Sequence, residues 1–104
     1  MTSERQQKLL AMLSQSPSDP FLLYAMGMEC RKLGDFQRAI EYFRKTVAAD
    51  PQYCYAYYQL GQTCELLQQP DLARQAYTEG IAAAEVAGDH HARQEIEAAL
   101  RSLD

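Results

Sequence analysis

Three cysteines and one pair of histidines are the side chains of this 104-residue chain with the widest chemical repertoire. A cysteine acts as a nucleophile or metal ligand through its thiolate, which needs a neighbouring base or positive charge to form near neutral pH. Cys54 stands at an expected helix start, where the thiol pKa could be lowered, yet no base lies beside it to take the proton. Cys30 and Cys64 lie on apolar helix faces and read as small buried hydrophobes. An odd number of cysteines without a Cys-x-x-Cys pair fits a reducing compartment, with all three thiols free. His90 and His91 are sequence neighbours, so on a helix they diverge by about 100°. They cannot close on one ion as an i, i+4 pair can, and they read as exposed residues of a helix start. Glu85, Asp89, Glu95 and Glu97 are spread as on a solvated face, and the chain has no glycine-rich phosphate loop. The expectation is a non-catalytic protein with no metal site and no cofactor.

The composition narrows the class. Hydrophobic content of 47% with 23% charged residues is that of a folded globular chain. Its length corresponds to one domain that buries about two-thirds of the unfolded surface. Ten basic against fourteen acidic residues give a net charge of −4, and the longest basic run is Arg44-Lys45. Nucleic acid is not an expected partner, because phosphate binding needs a positive footprint. The opening MTSERQQKLLAMLSQ is charged and polar from Glu4 to Lys8, where a secretory signal would need an apolar core. No apolar run reaches membrane-spanning length, so the expected location is cytoplasmic, away from membranes.

The stretch PQYCYAYYQLGQ, residues 51–62, places tyrosines at every second position, which alone would suggest a half-buried strand. Self-alignment argues otherwise. At an offset of 34, residues 17–50 match residues 51–84 with eight identities: Pro17/Pro51, Tyr24/Tyr58, Gly27/Gly61, Cys30/Cys64, Leu33/Leu67, Ala39/Ala73, Ala48/Ala82 and Ala49/Ala83. Tyr55, Tyr57 and Tyr58 then align with Phe21, Leu23 and Tyr24, whose segment continues at helical spacing through Met26 and Cys30 to Leu33. The tyrosines open a helix. Six helices are predicted, over residues 3–14, 19–33, 36–49, 52–68, 70–87 and 89–103, separated by turn and cap residues such as Gly34-Asp35, Asp50-Pro51 and Gly88-Asp89. In the last, Ala92, Ile96, Ala99, Leu100 and Leu103 form an apolar stripe while Arg93, Gln94, Glu97 and Arg101 face out.

A 34-residue period of paired helices resembles the tetratricopeptide repeat. The first unit carries Leu23, Met26-Gly27, Cys30, Ala39, Phe43, Thr46 and Pro51. Tyr57, Leu60-Gly61, Cys64, Ala73, Tyr77 and Gly80 follow in the second. Both units hold Cys where the family usually has an aromatic, the second lacks its terminal Pro, and Trp is absent. The resemblance implies an all-α, right-handed α-α superhelix, a small stand-alone TPR protein of the bacterial type. Residues 1–104 then form one domain: an N-terminal capping helix (1–16), two units (17–50 and 51–84), and the end of the last repeat helix with a C-terminal capping helix (85–104). Gly27 and Gly61 are expected to let Ala39 and Ala73 of the paired helices approach closely.

In each unit Leu23, Met26, Gly27 and Cys30, or Tyr57, Leu60, Gly61 and Cys64, share the side that packs within the repeat. A second side, about 130° round the helix, carries Phe21, Tyr24 and Met28, then Tyr55 and Tyr58, with Arg31, Gln62, Glu65 and Leu66 at the margins. The resemblance implies that this side lines a concave groove for an extended or helical segment of a protein partner. Aromatic residues suit that role because they bring large apolar area at little cost in side-chain entropy. The alternatives are a self-associating scaffold unit that forms a homodimer through the same face, and coverage of the face by the C-terminal helix. The chaperone-binding members of the family hold a C-terminal carboxylate with Lys and Asn in the first unit and Asn in the second. Tyr24, Met28 and Gln59 stand there, so that specificity is not expected.

Overall fold

The computed structural model describes residues 2–103; Met1 and Asp104, the outermost residues of the expected 1–16 and 85–104 segments, lie outside them. Six helices follow one another: α1 (Glu4–Gln15), α2 (Pro20–Lys32), α3 (Phe36–Ala49), α4 (Cys54–Leu66), α5 (Pro70–Ala87) and α6 (His90–Arg101). The described residues contain no strand, as the repeat predicts.

Local chemistry sets most of the boundaries. Ser3 and Gln6 form a reciprocal capping box at the start of α1. Asp19 caps α2 with Pro20 in its first turn, while Asp35 and Asp89 cap α3 and α6. The fourth helix starts at Cys54, two residues later than predicted. Asp50 is the reason: its carboxylate accepts from the Gln52 amide at 3.0 Å and its carbonyl accepts from the Tyr53 amide at 3.0 Å, forming a turn ahead of the helix.

Helices α2 and α3 form one packed hairpin and α4 and α5 the next, with α3 against α4, α1 against α2 and α6 against α5. The stack measures 38 × 29 × 18 Å. Its core repeats with the sequence: Cys30 and Cys64, Ala39 and Ala73, and Phe43 and Tyr77 are all fully buried. The glycines serve a different neighbour from the one expected. A methyl group on Gly27 would lie 2.5 Å from the Phe43 ring, and one on Gly61 would fall on the Tyr77 ring. It is the rings of the second helices, rather than Ala39 and Ala73, that need the missing side chains.

Two features lie outside the repeat pattern. Gln6 and Glu29 are buried, and both serve the attachment of α1. The Gln6 amide donates to Cys30 Sγ at 3.6 Å, while Glu29 accepts from the Ser3 hydroxyl at 3.2 Å and pairs with Arg5 Nε at 3.4 Å. At the other end, α5 is 18 residues long against 14 for α3, and Gly88 closes it in the left-handed conformation at φ 70°. α2 and α4 start 34 residues apart, Pro20 to Cys54, but α4 and α6 start 36 apart, Cys54 to His90. On α6, Ala92, Ile96 and Ala99 are buried, and Leu100 and Leu103 pack against the core. Gln94 and Arg101 face solvent, whereas Arg93 and Glu97 are half-buried and approach each other to 3.8 Å.

Candidate functional site

The tyrosines of the 51–62 stretch go four ways. Tyr53 sits in the turn before α4 and its ring packs on Tyr24, centroids 4.9 Å apart. Tyr55 points toward α6, where its hydroxyl donates to Glu95 Oε1 at 3.5 Å. Tyr57 enters the core and returns its hydroxyl to the Pro51 carbonyl at 3.0 Å. Tyr58 lies between Tyr55, at 6.4 Å edge to face, and the buried Tyr77, at 6.3 Å.

An aromatic surface results along α2 and α4, in two ring clusters, one around Tyr24 and one around Tyr58. Tyr24, Met28, Tyr55 and Tyr58 are half-buried, while Phe21 keeps 67% and Leu66 51% of their surface exposed. Tyr24 has a second support in Phe43, at 5.8 Å. Polar bridges tie the helices beneath this surface: Arg31 of α2 donates to Gln59 of α4, and Tyr55 of α4 reaches Glu95 of α6. Gln62 is half-buried on the same stretch of α4.

Several side chains make contacts beyond those expected. Glu65, expected at the margin, accepts the hydroxyl proton of the fully buried Tyr77. Glu95, expected on a solvated face, takes both Tyr55 and His91, the latter at 2.5 Å. Gln59 precedes Gln62 by three residues, a spacing that places both on one flank of α4 and was the available signal for it. Tyr53 joins the Tyr24 cluster and Tyr77 the Tyr58 cluster through contacts that no local pattern encodes.

The environment of these groups is apolar enough to shift their protonation. Burial holds the Tyr24 phenol above its ordinary pKa, partly offset by Gln59 and Arg31. Tyr77 is raised further, by burial and then by the Glu65 carboxylate. The thiols follow the same rule. Burial raises Cys30, Cys64 and Cys54, and at Cys54 the Asp89 charge raises it again. Cys54 is therefore buried and protonated, in place of the lowered pKa its helix-start position could have supplied. His90 and His91 are exposed. Among the described residues no group of three or more His, Cys, Asp or Glu is placed to hold a metal ion, and no helix is long and apolar enough to cross a membrane.

Two tetratricopeptide repeat family models match the chain, one over residues 20–53 and the other over residues 42–75. A TPR repeat-containing protein of Pseudomonas aeruginosa is 32% identical over 93 residues, 89% of each chain. A protein of Bordetella parapertussis, solved in solution, is 31% identical and superposes with a TM-score of 0.81 over 99% of this chain and 89% of its own. The crystallised PcrH, in complex with the chaperone binding region of PopD, is 15% identical with a TM-score of 0.88 over 94% of this chain and 74% of its own, a likeness of fold.

Proposed function

The chain belongs to the tetratricopeptide-repeat family, and we propose that it is a non-catalytic protein-interaction module. In this reading it takes an extended or helical segment of a partner on the aromatic surface of α2 and α4. The supporting observation is that Phe21 and Leu66 stay more than half exposed on that surface, while the contact of α6 with its tyrosines runs through Glu95. Exposed aromatic and aliphatic side chains beside half-buried tyrosines supply the apolar centre that interface cores use. PcrH, of the same fold, is itself held with a segment of another protein. The unit boundaries 17–50 and 51–84 belong to this reading, because each would contribute one first helix, α2 or α4, to the groove.

The test is affinity capture from the native lysate with the parent protein and with a Phe21→Ala/Leu66→Ala variant, both shown to melt alike. Loss of a specific captured protein in the variant is the expected result. Capture that is indifferent to both substitutions would remove the groove from the account. Sedimentation over a wide concentration range separates an external partner from a second copy, because only self-association gives a mass that rises with concentration.

A further inference from the structure

The groove is electrically graded along its length. At its α2 end Arg31 lies beside Tyr24 and bonds Gln59. From α6 the contacts run back through α4 to α5 as Glu95, Tyr55, Tyr58, Tyr77 and Glu65: a carboxylate on the Tyr55 hydroxyl, two edge-to-face rings, then the buried α5 ring whose hydroxyl bonds the Glu65 carboxylate of α4. Both carboxylates remain partly open to solvent, as do the half-buried Tyr55 and Tyr58. Aromatic faces attract a cation through their quadrupole, and adjoining carboxylates add charge-assisted hydrogen bonds. Arginine suits this combination best, since its planar guanidinium stacks on a ring while its edge serves a carboxylate. His91, exposed and 2.5 Å from Glu95 Oε1, is the side chain that the incoming residue has to displace or share with.

Resting on the groove reading above, we infer that the partner segment carries a basic residue, Arg in preference to Lys. It seats on Tyr55 and Tyr58 between Glu65 and Glu95, with the segment's apolar residues running back toward Phe21. The charge gradient also fixes the direction: an acidic residue of the segment belongs at the Arg31 end. Electrostatic complementarity of this kind sets register and selectivity more than total affinity.

The experiment selects short random segments displayed on phage against the immobilised protein. Synthetic peptides from the winners are titrated into the parent, Glu95→Gln, the Glu65→Gln/Glu95→Gln double variant and Phe21→Ala/Leu66→Ala. Gln at position 65 keeps an acceptor for Tyr77, and Glu95→Gln alone serves if the double variant melts early. The expected winners contain Arg among apolar residues. Replacing that Arg by its uncharged isostere citrulline should weaken binding to the parent by about five- to tenfold. The same replacement should have little effect on the double variant, the coupling that marks a direct contact. Winners without a basic residue, or a citrulline effect unchanged by the Glu→Gln substitutions, overturn the basic anchor while peptides lost on Phe21→Ala/Leu66→Ala keep the groove. Absence of winners, or winners indifferent to Phe21 and Leu66, overturns both.

Discussion

Gly27 lies directly beneath the Phe43 ring, so closely that a β-carbon there would sit 2.5 Å from a ring carbon. Gly61 and Tyr77 repeat the arrangement one unit later, with both rings fully buried. Alanine in a helix interior gains about 0.5–1 kcal/mol over glycine from backbone entropy. Overpacking a filled core costs typically 1–3 kcal/mol, and these ring atoms belong to fully buried side chains rather than to the free end of a flexible one. The clash should win. Gly61→Ala is expected to lower stability despite its better helix propensity, and Gly61→Leu to lower it further, as read from urea midpoints. A Gly61→Ala protein more stable than the parent would show that the ring can shift.

The turn that links the helices of each unit holds one residue in the left-handed conformation. In the first it is Gly34, at φ 83°; in the second it is Gln68, at φ 57°. A side chain in that region costs about 1–2 kcal/mol. Gln68→Gly should recover much of this, offset in part by the greater entropy of an unfolded glycine. Gly34→Ala should lose a similar amount, and nothing within 4 Å of its β-carbon offers another explanation. Opposite shifts in melting temperature for these two variants are the expected result.

Such turns show what could be read from the chain and what could not. The offset of 34 residues identified the repeat, and helical periodicity then separated Met26, Cys30, Leu60 and Cys64, which are buried, from Tyr24 and Tyr58, which are half-open. Identical or similar residue types at equivalent positions encode those facts locally. The bridges Arg31 to Gln59, Tyr55 to Glu95 and Tyr77 to Glu65 cross between helices. Their partners depend on how the two helices of a hairpin pack, for Tyr77 and Glu65, and on how one hairpin sits against the next, for Arg31 and Gln59; at α6 they depend also on the longer α5, which moves that helix off the 34-residue register. Burial of Gln6 and Glu29 was hidden for the same reason, because polar residues on a short helix resemble a solvated face until the neighbouring helix is in place.

Alkaline pH should destabilise the fold. Tyr24, Tyr53, Tyr55, Tyr57 and Tyr77 all have pKa values raised above the ordinary 10.0, and Cys30, Cys54 and Cys64 above 9.0, with burial the leading cause in each. Over that range the unfolded chain loses these protons first, so it binds fewer than the native state and stability falls as pH rises. Below about pH 8 both states hold the protons and these groups leave stability flat. Urea midpoints are expected to be level up to there and to decline from about pH 9 upward. In Tyr77→Phe, which removes the most strongly raised phenol, the decline should be shallower.

The groove residues should divide by what lies behind them. Phe21 and Leu66 are more than half exposed, so truncation to Ala removes little buried area and should change stability by no more than about 0.5 kcal/mol. Tyr24 packs on Phe43 and Tyr53, and Tyr58 on Tyr55 and Tyr77. Complete loss of a buried aromatic costs about 3–5 kcal/mol, and these rings are half-buried, which places Tyr24→Ala and Tyr58→Ala near about 2 kcal/mol each. Both pairs should weaken a groove-bound peptide, because truncating an anchor at the centre of an interface commonly costs about 2 kcal/mol or more. The two measurements together separate support from contact. Thermal melts should rank the tyrosine variants below the Phe21 and Leu66 variants, and peptide titrations at a temperature where all remain folded should show losses in both sets. If Phe21→Ala and Leu66→Ala bind as the parent does while the tyrosine variants lose only stability, the rings are core and the partner docks elsewhere.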